Sequence, residues 1–331
     1  MSAKFDVLAI GNAIVDVIAR VDDDLLAREG IAKGAMTLID EPRAAHLLTK
    51  AVQAVIMSGG SSANTVAGLA NLGARAAYIG KVRDDALGAD FARDIQALGV
   101  AFHTSAALSG AATASCFVMV TPDGQRSMST YLGACQNLTE ADVEEADIAA
   151  AEIVYLEGYL WDPPAAKQAF VKASRLAHAH KRRVALSLSD AFCVERYRDE
   201  FLDLIRSGLV DIVFANDAEA RALYKTDDLQ TAIAALRLEN CLAIVTHGAH
   251  GSHVVTRDAT TAVPAAPIAQ LVDTTGAGDL YAAGFMLGLA QGRDHATCAT
   301  LGGAAAAVII QQIGARAPAD LRTRLRELIA V

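Results

Sequence analysis

The residues best suited to chemistry lie in the run Asp273-Thr274-Thr275-Gly276-Ala277-Gly278-Asp279. It follows an apolar stretch at residues 268–272 and opens a helical pattern at 280–291. Two glycines at a helix start let the backbone approach a ligand closely. The free N–H groups and the helix dipole then favour an anion. Asp279 falls in the first turn and points at the same place, where a carboxylate can take a proton from a hydroxyl. An anion hole of Gly276, Ala277 and Gly278 beside a carboxylate base is what phosphoryl transfer to an alcohol requires. An isolated Gly-Ala-Gly-Asp also describes an ordinary capped helix start. The full seven-residue run is more specific.

Four further loops carry polar groups at the ends of apolar runs. Ser58-Gly59-Gly60-Ser61-Ser62-Ala63-Asn64 joins a strand pattern to a helix pattern. An Asn there can both donate to and accept from the hydroxyls of a polyol, although a plain serine-capped loop has the same composition. Gly11-Asn12 with Asp16 closes the first strand pattern, and these side chains suit either vicinal hydroxyls or a turn. Asn216 and Glu219 follow the apolar run 212–215 as N-x-x-E. That pair can orient water around Mg²⁺ and a phosphate tail, or simply form an N-cap with a first-turn Glu. Thr246-His247-Gly248-Ala249-His250-Gly251 ends another apolar run, where backbone and hydroxyl can touch a nucleotide. No acidic or thiol partner lies at ligand spacing from His247 or His250, so neither reads as a metal ligand.

The elements that must position these loops form an alternation. Strand patterns at 5–10, 54–57, 76–80, 153–156, 184–188, 212–215 and 242–246 mostly precede helix patterns. This predicts an α/β fold with a Rossmann-like, mostly parallel sheet and helices on both faces. The stretches 13–40 and 100–132 break the rhythm with short strands, and the second contains the hairpin signal Thr121-Pro122-Asp123-Gly124. They are expected to build a small β-sheet lid, or alternatively a surface or dimerisation sheet. The large α/β domain is then expected over 1–12, 41–99 and 133–331. The stretch 299–310, rich in Gly and Ala, reads as a tightly packed core helix.

Composition narrows the function. Lys and Arg number 29 against 38 Asp and Glu, a formal charge of −9. An acidic chain argues against a nucleic-acid coat but leaves room for a nucleotide held by main-chain amides. The five cysteines are scattered and never in a CxxC pair, which points to reduced thiols in the cytoplasm. No apolar run is long enough to span a bilayer. GxxxxGK[ST], GxGxxG and GxSxG are all absent, which excludes a P-loop and weighs against a dinucleotide-binding oxidoreductase and an α/β-hydrolase.

Taken together these motifs resemble the ribokinase-like (PfkB) family of carbohydrate and nucleoside kinases. Gly59-Gly60 to Asn64, continuing through Gly80 and Asp84 to Gly88, is similar to its first signature. Asp273 to Asp279, with Gly284 beyond, is similar to its second. The resemblance implies ATP as donor, Mg²⁺ as helper and Asp279 as catalytic base. It implies nucleotide contacts at Asn216, Glu219, Thr246, Gly248 and Gly251, with Mg²⁺ held near Glu219 and Asn216 through water. Hydroxyl contacts fall to Asn12, Asp16, Gly59, Gly60 and Asn64. Arg126, just after the lid turn, looks like an arginine that steadies the transferred phosphate, or is a solvated hairpin charge. Asp273, Thr275 and Gly314 sit where many members bind a monovalent cation such as K⁺.

Within the family, residues 11–17 and 186–192 are similar to the adenosine kinase branch. Ala191 departs from the Pro of that branch and Ser187 from a common Asn. The branch implies a purine slot, for which Met36, Met128 and Tyr159 are candidates alongside plain packing. The expected activity is therefore phosphorylation of the 5′-hydroxyl of adenosine by a monomer or homodimer. A free-sugar kinase acting on fructose, ribose or 2-keto-3-deoxygluconate is the alternative. A nucleoside- or sugar-sensing protein on the same fold is the non-enzymatic one.

Overall fold

The computed structural model describes residues 3–329. Its large sheet contains β1 (Phe5–Ile10), β5 (Ala76–Ile79), β6 (Ala101–Phe102), β9 (Ala151–Glu157), β10 (Arg183–Ser187), β11 (Ile212–Asn216), β12 (Leu242–Thr246), β13 (Ser252–Val255) and β14 (Thr260–Val263). The spatial order is β14-β13-β12-β11-β10-β9-β1-β5-β6. Pairing is parallel from β12 to β6, and β13 and β14 add an antiparallel edge that the sequence reading did not foresee. Both faces are dry, which is why the strands read as continuous apolar runs rather than alternating ones. On β1, Val7 and Ala9 join one core with the helices Ser61–Leu72, Ala277–Ala290 and His295–Ile309. Leu8 and Ile10 join a second core with the helices Pro164–Ala179 and Ala191–Arg206.

The small sheet is β2 (Ile14–Arg20), β3 (Met36–Leu38), β4 (Val55–Gly59), β7 (Ala114–Val120) and β8 (Arg126–Tyr131), in the order β3-β8-β7-β2-β4. Here period-two alternation holds. Val15, Val17, Phe117 and Met119 pack into the first core. Cys116, Val118 and Val120, with Ile14, Ile18 and Met128, face the other way.

Two boundaries differ from the sequence expectation. Residues 55–59, assigned to the large domain, pair antiparallel with β2 as an edge of the small sheet. An apolar run ending in Gly before a helix looks the same in either sheet; only the register with Ile14–Ile18 decides. Conversely Ala101–Phe102, assigned to the lid, pairs with β5 as the far edge of the large sheet. The Gly/Ala-rich stretch near the C-terminus is a buried helix, His295–Ile309, packed along Ala277–Ala290. No helix of the described residues is long and apolar enough to cross a membrane.

Candidate active site

The carboxyl ends of the central strands, the cleft face of the small sheet and the N-terminus of the Ala277–Ala290 helix surround one cleft of ≈ 440 Å³. Gly276 caps that helix with φ +79, a left-handed conformation that favours glycine. A Cβ there would come within 2.8 Å of Ala315 Cα, so the turn is backed by the 314–316 loop. Asp279 sits in the first turn. Its Oδ1 accepts from Ser61 Oγ at 2.6 Å and its Oδ2 from Asn64 Nδ2 at 3.4 Å. Loss of solvent, then the nearby charge of Glu157, pushes its carboxyl up to about 7 against the opposing bond from Ser61. A carboxylate poised near neutrality in the first turn of a helix, beside free backbone N–H groups, is suited electrostatically to taking a proton from a hydroxyl.

Asp16 reaches the cleft from β2 and burial pushes it up to about 6, with Arg316 and Arg126 opposing. Its carboxylate lies against Gly59, where no side chain would fit. Gly60 has φ +97 and a Cβ there would come within 2.2 Å of the carbonyl oxygen of Asn12, so this crossing also needs glycine.

Asp16, Gly60, Asn64, Met128, Tyr159, Asn216, Glu219, Thr246, Thr275, Gly276, Gly278, Asp279, Arg126 and Gly314 all line the cleft. Others of the expected set stand elsewhere. Asn12 is buried and donates from Nδ2 to Glu157 Oε1 at 2.7 Å, which makes it a strut beneath the site. Met36 is 56% exposed on the edge strand β3, outside the cleft lining; it is Met128, its register partner, that enters. Gly248 and Gly251 also lie outside the lining, and Gly251 instead lets its backbone press on Val263 O of the β13–β14 edge. Gly59 and Ala277 touch the site only through their neighbours.

Asn216 and Glu219 form a reciprocal capping box at the start of the Asp217–Tyr224 helix. Asn216 Nδ2 donates to Glu219 Oε1 at 2.5 Å and its backbone N–H to Oε2 at 2.9 Å. Burial raises Glu219 to about 7. With both oxygens engaged, the pair suits an outer shell of water around Mg²⁺ better than direct ligation. Asp273, Thr275 and Gly314 do meet, but the cation between them is a guanidinium. Arg126 crosses from β8 to Asp273 Oδ2 and Oδ1, both at 2.9 Å, and to Thr275 Oγ1. Gly314 N–H and Thr275 N–H satisfy the same carboxylate at 2.8 and 3.0 Å. This arrangement does not fit K⁺. Among the described residues no cluster of three or more His, Cys, Asp or Glu side chains could hold a metal.

Two charged residues escaped the sequence reading. Glu157 ends β9, 1% exposed, and accepts from Ser62 N–H and Oγ at 2.9 and 2.6 Å as well as from Asn12. It thereby fixes the start of the helix that carries Asn64. Its partners lie 95 and 145 positions away, so no local spacing announces it. Arg316 follows Gly314-Ala315 and donates to Ser58 Oγ at 2.8 Å.

Comparison with known proteins gives one family, with both adenosine and sugar kinases in it. A solved structure of "adenosine kinase from Sinorhizobium meliloti" is 54% identical, covers 98% of this chain and 99% of its own, and superposes with TM-score 0.89. A "probable sugar kinase protein from Rhizobium etli CFN 42" is 48% identical over 99% of this chain and 100% of its own, TM-score 0.90. "Adenosine kinase" of Saccharomyces cerevisiae is 27% identical over 95% of this chain and 97% of its own length. The family model for "pfkB family carbohydrate kinase" matches residues 4–322. The Gly276-capped helix start and the Asp279 carboxylate thus sit in a chain that belongs to the pfkB family, a phosphotransferase with an alcohol hydroxyl as acceptor.

Proposed function

We propose that the chain transfers the γ-phosphoryl group of ATP to the 5′-hydroxyl of adenosine. The observation that carries this reading is Asp279 at the mouth of a helix N-terminus, held near pH 7 and facing the same cleft as Asp16 and Asn64. The acceptor hydroxyl gives its proton to Asp279 as its oxygen attacks the γ-phosphorus in line. The bond to the β-phosphate oxygen breaks and ADP leaves. The backbone N–H groups at the turn take up the charge on the transferring oxygens. Arg126, parked on Asp273 within reach of the same turn, supplies a further positive charge. Mg²⁺, when bound, neutralises the phosphate tail, with Glu219 and Asn216 ordering its water shell.

Adenosine is favoured over a free sugar by the apolar lining beyond Asp16. Ile14, Ile18, Val118 and Met128, with Tyr159 on the facing wall of the cleft, offer a slot for a flat base. The likeness to the Sinorhizobium adenosine kinase supports the same choice. A free-sugar acceptor is the second reading, supported by the likeness to the Rhizobium etli sugar kinase and by the polar Asp16–Asn64 end of the cleft.

The test is ADP release from Mg-ATP, with and without K⁺, across adenosine, inosine, ribose, fructose and 2-keto-3-deoxygluconate. Adenosine is expected to exceed every free sugar in kcat/KM by orders of magnitude. A free sugar ahead of adenosine overturns the acceptor assignment and leaves the Asp279 chemistry in place.

A further inference from the structure

Arg316 stands where two bridges between the halves of the site converge. The first bridge is Ser61 Oγ to Asp279 Oδ1. The second is Arg316 Nη2 to Ser58 Oγ, three residues earlier on the same β4 crossing. Ser58 is fully buried and donates from both N–H and Oγ to Asp94 Oδ2 at 2.7 and 2.6 Å, and Arg316 Nη2 approaches that oxygen to 3.7 Å. The backbone of Arg316 belongs to the loop that supports the anion hole. Val272 and Asp273 donate to Ile310 O, Gly314 N–H donates to Asp273, and Ala315 packs beneath Gly276. The second guanidinium nitrogen, Nη1, is shut off from solvent with no partner among the described residues. A charge is therefore kept in a costly place. The carboxylates of Asp94, Asp16 and Asp279 all face it.

We propose that Arg316 is a positioning residue for phosphoryl transfer. Its side chain ties the loop behind the Gly276 turn to the strand that delivers Gly59, Gly60 and Ser61, and so fixes the anion hole against the acceptor edge. The proposal rests on phosphoryl transfer in this cleft and not on adenosine as the acceptor. Removing the tether leaves every group that touches substrate chemically intact but lets the two halves drift. A misplacement of about 1 Å is enough for a ~100-fold loss of rate. The same charge also favours ionised Asp16, alongside Arg126 and against Asp279 and Cys116, which face Asp16 as well.

The experiment compares Arg316→Met, Arg316→Lys and Asp94→Asn with the wild-type chain, each with Mg-ATP and the acceptor that the wild type turns over fastest. Arg316→Met is expected to lose ~100-fold in kcat with KM for ATP within about 3-fold. The acid limb of its kcat/KM profile is expected to move to higher pH, because Asp16 and Asp279 lose a facing positive charge. Arg316→Lys keeps the charge and is expected to recover at least about tenfold of the lost kcat and return the limb. Asp94→Asn loosens the same tether from its other end and is expected to lower kcat about tenfold. A packing role alone predicts a lower melting temperature with kcat and the acid limb unchanged, and that result overturns the proposal. If Arg316→Met does not fold, Asp94→Asn decides: wild-type kcat in that variant overturns the proposal as well. Because each variant is read on the wild type's own best acceptor, a failed adenosine assignment leaves this comparison intact.

Discussion

The two sheets are built from similar residues but answer to different demands. The large sheet is apolar on both faces, and its strands are pinned by helices on each side. The small sheet has one dry face, while the other carries Asp16, Cys116, Arg126 and Met128 into the cleft. Its edges are bare: Leu38 is 60% exposed on β3 and Val55 55% on β4. The difference separates stability from chemistry. Burial in the large sheet holds the strand ends in place, whereas the small sheet spends one face on the ligand.

That division can be broken by substitution. Phe170, fully buried between the Pro164–Ala179 helix and the large sheet and 5.8 Å from the Trp161 ring, is the clearest case on one side. Phe170→Ala is expected to cost about 3–5 kcal/mol of stability by denaturant titration, with kcat of the folded enzyme unchanged. A fallen kcat would show that the second core reaches the site.

Asp279→Asn is the mirror image. It is expected to fold and bind ATP yet lose ~10²–10⁴-fold in kcat. Its folded pKa is raised from the ordinary 3.8 to about 7, so the native state binds the extra proton between those values. The ionised carboxylate thus weakens the fold above pH 7. Removing its charge should raise Tm at pH 8 and leave it unchanged near pH 4. For the same reason wild-type kcat/KM should fall about tenfold per unit below pH 7. A flat profile from pH 5 to 8 would disqualify Asp279 as the base.

Arg126→Gln tests the small sheet. It is expected to lower kcat ~100-fold while Tm moves little, because Asp273 retains the Gly314 and Thr275 amides. A large Tm loss with normal turnover would make the arginine a brace and erase the contrast between the sheets. Smallest of all, Leu38→Ser on the exposed edge should stay within about 0.5 kcal/mol in stability and leave kinetics alone.

How much of this could be read from the chain follows the same division. The first strand, the helix at 61–72 and the Asp273–Asp279 turn were legible because each is announced by neighbouring residues: an apolar period, a cap, a pair of glycines. What failed depended on distant register. Val55–Gly59 was assigned to the wrong sheet because its partner β2 lies some forty residues earlier, and nothing local distinguishes the alternatives. Met36 reads as a slot residue in the sequence because a methionine on a lid strand suits either side of the pleat and either edge, but it stands exposed on the edge strand. Glu157 and Arg316 were missed for the complementary reason. A lone charge after an apolar run carries no spacing signal, and its meaning comes from Ser62 or Ser58, far away in sequence.

The crossings between the sheets carry a mechanical consequence. The chain passes from β1 to β2 at Gly11 and returns from β4 at Gly60, and at both a Cβ would strike neighbouring atoms. Gly124, in the turn between β7 and β8 at the far end of the same strands, is different: a Cβ there would meet open space. The small sheet is therefore close-packed against the large domain at the end that carries Asp16, while toward its other end Arg126 reaches back to Asp273 as an ion pair. The two attachments differ in kind: a close-packed crossing has no substitute partner, whereas an anion can compete with Asp273 for the Arg126 guanidinium while the Asp16 edge keeps its place.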